Sequence, residues 1–183
     1  VDAHDEYRPT GYSRTYPNFM TQEGIRGDET RPTNELTLTI LFTRMLAGAG
    51  DNTICYYAPE VAELRTHAAQ LAKAVCLYSP WQFLYWYDRP DGSPGTEGAG
   101  GERQGIGDEP ELAFFDAVPT VWDETKVVHG NIGQYAVIAR RSGTDWFIGC
   151  MNSGQPRTLD IPLNFLEPNK TYTAHIYSDD PAI

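Results

Sequence analysis

Between Asp88 and Pro110 the chain crosses a stretch that no regular element can span. Seven glycines lie between Gly92 and Gly107, with Pro90, Pro94 and Pro110 around them. Glycine loses the most backbone entropy on ordering, and proline lacks the N–H that helices and ladders use. The stretch predicts an irregular, exposed loop with few backbone hydrogen bonds. It divides two parts of different hydrophobic period. Before it, strand-like and helix-like segments alternate. After it, from Lys126, the period is two. The predicted class is α/β followed by all-β.

In the first part, Val1 to Ala3 reads as the end of a strand opening into the polar loop His4-Asp5-Glu6. Tyr16 to Thr21 is a short strand candidate. Thr33 or Asn34 can cap a helix whose apolar positions are Leu36, Ile40, Leu41, Met45 and Leu46, with Gly48 ending it. A second helix is predicted from Val61 to Leu77 and stopped by Ser79-Pro80. Trp81 to Tyr87 is aromatic and strand-like. A short helix over Leu112 to Val118 follows the glycine-rich stretch.

In the last part, Tyr135–Arg140 and Trp146–Cys150 read as a hairpin turning at Ser142-Gly143-Thr144-Asp145. Val137, Ala139, Phe147 and Cys150 are expected near the interior. Thr158–Leu163 and Thr171–Tyr177 look like two more strands, which together suggest a β-sandwich. Cys55, Cys76 and Cys150 fit neither a zinc spacing nor a disulfide framework and read as small buried apolar residues.

Charge narrows the partners. The chain of 183 residues carries 14 Lys and Arg against 25 Asp and Glu, a net charge of −11. Such a surface is a poor ligand for phosphate backbones and for anionic membranes, so no nucleic acid is expected as partner. No run of about 18 apolar residues predicts a membrane-spanning helix. The chain begins at Val1 rather than Met and enters a dense motif at once, which suggests a piece of a longer protein.

Carboxylates crowd the first thirty positions: Asp2, Asp5, Glu6, Glu23, Asp28 and Glu29, interleaved with Arg8, Arg14 and Arg26. Asp5, Glu23 and Glu29 fall where strands become loops, which in an α/β barrel is the face that forms active sites. Converging carboxylates need a cation, a proton or an arginine. A hard cation with oxygen ligands, calcium most naturally, meets that need without thiols. Paired carboxylates also suit glycosidic bond cleavage. On composition alone the same residues read first as a solvated acidic loop paired with arginines. Trp81, Phe83, Tyr85, Trp86 and Tyr87 could stack on sugar rings or line a core.

Several blocks resemble glycoside hydrolase family 97. They are Arg8-Pro9-Thr10-Gly11, Arg14-Thr15-Tyr16-Pro17-Asn18 and Glu23-Gly24-Ile25-Arg26-Gly27-Asp28-Glu29. Phe42 to Gly48, Tyr78 to Gln82, Pro119 to Thr125 and Ile132-Gly133 follow in family order. The resemblance implies large exported bacterial enzymes, periplasmic or extracellular, that hydrolyse oligosaccharides at α-glucosidic or alternatively α-galactosidic bonds with calcium. It implies that residues 1–118, including the loop 88–110, are the C-terminal portion of a catalytic (β/α)8 barrel. Residues 119–183 would then be part of a C-terminal β-sheet domain.

Carried over residue by residue, Glu29 matches the general acid and Glu23 a calcium ligand. Asp5 falls where inverting members place a base that also binds calcium, and it is one methylene shorter. The calcium set is thus Glu23, Glu29 and Asp5, with carboxylates expected within about 8 Å on the scale of calcium–oxygen bonds. His4, beside Asp5, is read as substrate-binding. Gly50-Asp51-Asn52-Thr53-Ile54 departs from an Asp-Tyr-Thr-Pro stretch of many members. The chain is expected to be inactive alone. The alternative is a non-catalytic carbohydrate-binding or interaction module built on the β-rich half.

Overall fold

A computed structural model of the chain describes residues 1–4, 9–57, 61, 63–85 and 109–179. The loop expected over 88–107, and Trp86 and Tyr87, lie outside these residues.

The first part carries four short parallel strands: β1 (Asp2–Ala3), β2 (Thr21–Gln22), β3 (Thr53–Cys55) and β4 (Phe83–Tyr85). β1 pairs with β2, placing Asp2 opposite Thr21, and β3 pairs with β4, placing Thr53 opposite Phe83. A parallel bridge from Gln22 to Gly50 joins the two pairs, so strand order follows chain order. Parallel neighbours need a crossover between them. α1 (Asn34–Leu41) and α2 (His67–Cys76) supply it after β2 and β3.

Both helices start on a threonine cap. Thr33 accepts a hydrogen bond from the Leu36 N–H and Thr66 from the Ala69 N–H, satisfying donors the first turn leaves open. The second cap corrects the expected Val61 start. Thr66 is extended, with φ −89° and ψ 166°, so α2 begins at His67. The preceding Arg65 leaves the helical path to donate to the Pro32 carbonyl. α1 is likewise shorter than expected. It ends at Leu41, and a tight 3-10 turn over Arg44–Ala47 replaces its last turn. Leu46 consequently stands 81 % exposed rather than on the apolar face.

The last part is an antiparallel sheet of β5 (Glu124–Asn131), β6 (Tyr135–Ser142) and β7 (Asp145–Asn152), in that spatial order. A short α3 (Leu112–Ala117) precedes it. The β6–β7 turn falls where the sequence places it, with Gly143 at φ +58°. Register sets Val137 opposite Cys150 and Ile138 opposite Gly149. Val137 and Ala139 are buried, but Cys150 is exposed. The inward β7 positions are Gly149 and Met151, one residue out of phase with it.

Thr158–Leu163 and Thr171–Tyr177 form no strands. A strand requires a neighbour to take its alternate N–H and C=O groups. Among the described residues, backbone bonds in this region are local turns, such as Leu166 N–H to the Leu163 carbonyl. The segment still touches the sheet, through Phe165 on Trp146 at 4.6 Å between centroids.

α2 is buried on two faces and holds the parts together. Leu71 and Ala74 pack with Ile54 and Tyr56, while Ala72 and Cys76 pack with Ala136, Ile138 and Met151. Gly149 allows that contact: a Cβ there would lie 2.7 Å from both the Ala72 carbonyl oxygen and Cys76 Sγ. Arg140 Nη2 on β6 also donates to the Cys76 carbonyl at 3.1 Å.

Candidate functional site

Strands of two or three residues cannot fix their own ends by ladder bonds, and here a half-buried side chain does it. The Arg44 guanidinium donates to the carbonyls of Gln22, Glu23 and Ala49 at 2.9, 2.6 and 3.2 Å. It thereby ties the end of β2 to the approach of β3. Glu23 follows β2 directly, and its N–H donates to the Ala3 carbonyl at 3.1 Å. The Asp51 N–H donates to the Gln22 carbonyl at 3.0 Å.

These strand ends collect a polar cluster. His4 Nδ1 meets Asp51 Oδ2 at 2.7 Å, and His4 Nε2 lies 3.8 Å from Glu23 Oε1. Asp2, His4 and Asp51 bring ligand-type atoms within 4.8 Å of one another. The Asp51 side chain is 1 % exposed and His4 54 %, so the imidazole sits at the mouth and the carboxylate beneath it. Burial, reinforced by the Asp51 charge, pushes the Asp2 carboxyl up to about 6. The hydrogen bond to Asp51 raises His4. Asp2 Oδ1 and Asp51 Oδ1 are buried without a hydrogen-bond partner. Orphaned carboxylate oxygens in an acidic cluster fit a hard, oxygen-ligated cation.

Glu29 sits on a different device. Residues Asp28–Thr30 form a 3-10 turn whose first member, Asp28, is 1 % exposed. Asp28 Oδ1 takes Lys73 Nζ at 2.6 Å and lies 3.3 Å from Arg65 Nη1. Asp28 Oδ2 accepts from the Cys55 N–H at 3.0 Å and from Gln70 Nε2. Lys73 Nζ also donates to the Thr53 carbonyl at 3.3 Å. An isolated buried carboxylate would be costly, and two cations with two neutral donors offset that cost. Burial in turn pushes the Lys73 ammonium down to about 8, against the pull of Asp28. The turn is therefore pinned from below by β3, α2 and Arg65, and it presents Glu29 exposed at its surface.

The sequence singled out Glu23, Glu29, His4 and Asp5. The structure brings His4 and Glu23 together. Glu29 stands on its own turn, with its carboxylate folded back over Gly27. Asp5 lies outside the described residues. Neither Glu23 nor Glu29 belongs to the three-ligand group described above. Sequence reasoning counted Asp2 among the crowded carboxylates but gave no role to Asp51. The signal for Asp51 was its place right after the Gly48–Gly50 turn, where the chain enters β3. The arrangement offers an exposed carboxylate on a rigid turn, beside strand ends that gather acids around an imidazole. Such groups can donate a proton, hold a cation and bind hydroxyls.

Comparison with known proteins gives these groups a setting. Residues 121–183 match the family model described as Glycosyl-hydrolase 97 C-terminal, oligomerisation. The chain is 30 % identical over 200 residues to a retaining alpha-galactosidase of Bacteroides thetaiotaomicron, covering 98 % of this chain and 28 % of that protein. It is 33 % identical over 165 residues to a probable retaining alpha-galactosidase of Streptomyces bingchenggensis, covering 89 % and 24 %. The fold aligns with a Glycoside Hydrolase Family 97 enzyme from Pseudoalteromonas sp. strain K8 in complex with panose. That match has TM-score 0.70 and 30 % identity, over 92 % of this chain and 27 % of that one. The chain thus spans less than a third of the length of these relatives.

Proposed function

The chain resembles glycoside hydrolase family 97 over nearly its whole length, and from that premise we propose that it forms part of an enzyme hydrolysing α-glycosidic bonds. The observation that carries this reading is the Glu29 turn: an exposed carboxylate on a backbone anchored by the buried Asp28. Glu29 acts as the general acid and protonates the departing glycosidic oxygen. Two curated relatives named retaining alpha-galactosidases favour α-galactosides as first substrates, with α-glucosides second. The residues lie at the ends of β1 and β2 and at the approach to β3, in chain order, which suits the C-terminal portion of a (β/α)8 barrel. The enzyme works outside the cytoplasm, as the family resemblance implies.

His4 binds a sugar hydroxyl. Asp51 Oδ2 accepts a hydrogen bond from His4 Nδ1–H and leaves Nε2 facing outward beside Glu23. The family resemblance would have calcium held by Glu23, Asp5 and Glu29. In this reading Glu23 with Asp5 would hold it, and Asp2 and Asp51 would offer further oxygens. Glu29, on its own turn, would keep its proton for the leaving group. When bound, calcium supplies positive charge that offsets the crowded carboxylates. In the whole enzyme, calcium at a hundredfold excess over its dissociation constant should add about 2.7 kcal/mol of stability. Thermal melts with calcium and with chelator read this directly, and identical melts would remove calcium from the proposal.

The leaving group tests the acid. Glu29→Gln cannot protonate the departing oxygen and should lose about 10²- to 10⁴-fold on an alkyl glycoside. A nitrophenyl or fluoride leaving group departs without that help, so the loss there should be much smaller. Equal losses on both substrates would take the acid role from Glu29. The anomer first formed, read by proton NMR, decides between retention and inversion.

A further inference from the structure

The Gly27 peptide has φ −72° and ψ 170°, an extended conformation open to every L-residue. Backbone geometry therefore gives no reason for glycine at this buried position. Space does. A Cβ built on Gly27 would lie 2.7 Å from Glu29 Oε1 and 2.8 Å from Glu29 Cδ, and closer still to Oε2. The three nearest atoms all belong to one group, the carboxylate of Glu29. We propose that Gly27 is a positioning residue whose absent side chain is the seat of the Glu29 carboxylate. The proposal rests on reading Glu29 as the general acid and adds what sets its place.

The surrounding contacts determine which partner must yield to an added methyl. The Gly27 carbonyl accepts from the Thr30 N–H at 3.1 Å and from Thr30 Oγ1 at 2.9 Å. The next residue is Asp28, fixed by Lys73, Arg65, Gln70 and the Cys55 N–H. Moving the backbone would break charged bonds in a dry interior. Moving the Glu29 carboxylate means rotating an exposed side chain. Gly27→Ala should therefore leave the turn intact and push the acid off its seat.

The experiment is Gly27→Ala in the whole enzyme. The substrates are methyl and p-nitrophenyl α-galactosides, or the corresponding α-glucosides if those are the ones cleaved. Stability should be unchanged or slightly raised, since alanine restricts the unfolded chain. On the methyl glycoside kcat should fall on the order of 10²-fold, the cost of displacing a catalytic group by about 1 Å. KM should change little, and the p-nitrophenyl rate should stay close to wild type. Placed on Glu29→Ala, where no carboxylate remains to displace, Gly27→Ala should add no further loss. Equal losses on both leaving groups, or a further loss on Glu29→Ala, would overturn the proposal. A crystal structure of Gly27→Ala provides a readout independent of activity. The expected result is a displaced Glu29 side chain over an unmoved 26–30 backbone, and a shifted backbone with the carboxylate in place would refute it. If Glu29→Gln alone proves equally slow on both leaving groups, the acid reading fails, while the crystal structure still decides whether Gly27 seats the carboxylate.

Discussion

The parallel-strand part and the antiparallel sheet solve the same problem in opposite ways. β5, β6 and β7 are eight residues each. β6 and β7 pair without a break from a two-residue turn, and β5 pairs along β6 with one shift of register between Val127 and His129. β1 to β4 are two or three residues each, too short for their ladders to fix them. Their ends are set by side chains from far along the chain. Arg44 gathers the carbonyls of β2 and the β3 approach, and Asp28 gathers Lys73 from 45 residues away. A ladder gives rigidity through repetition, whereas a buried ionic hub concentrates it in a few atoms. The candidate catalytic groups lie in the part governed by hubs.

If that contrast holds, the largest single loss belongs to the hub. Lys73→Met leaves Asp28 buried with Arg65 as its one remaining cation and should cost about 3–5 kcal/mol in chemical denaturation. A cost below about 1 kcal/mol, the range of an exposed pair, would mean that the hub does not anchor the turn. The effect should also depend on pH. Lys73 is held down to about 8, below its ordinary 10.5. Between those values the folded state releases a proton that the unfolded chain keeps, so wild-type stability gains as pH rises through the window. Lys73→Met lacks that gain, so the gap between the two proteins should widen from pH 8 to pH 10. A constant gap would show that Lys73 titrates normally.

A smaller loss is expected where the parts meet. Gly149→Ala places a methyl against the Ala72 backbone and Cys76 Sγ. Overpacking of this kind costs about 1–3 kcal/mol. Because the obstruction is partly backbone, α2 and β7 must separate, and the loss should register in near-ultraviolet signals from both parts. A silent substitution would show two separately folding units. The smallest effect is local: Thr33→Ala removes the α1 cap and should cost about 1 kcal/mol. A loss well above that in an equilibrium melt would mean that the cap supports more than its own helix.

What the sequence made legible follows the same divide. The Ser142–Asp145 turn and the Thr33 cap are local signals, and both appear where expected. The Asp28 hub was invisible, because nothing near Asp28 announces Lys73 or Arg65. The Asp51–His4 pair joins positions 47 apart and was missed for the same reason. Cys150 was misplaced by one residue of register, which in a strand turns a side chain to the opposite face. The segments at 158–163 and 171–177 have the composition of strands. Composition cannot supply a ladder partner, and they form no strand.

The buried Asp28 has a consequence for engineering. A protein engineer transplanting the Arg26–Glu29 loop into another scaffold would carry the acid and its glycine seat but leave their foundation behind. Lys73, Gln70 and Arg65 would have to travel too, each on its own element and in the right orientation. The portable unit is therefore not a loop but a slice of fold from β2 to α2. Recombination that cuts within that slice should give proteins that keep the motif on paper and lose the geometry.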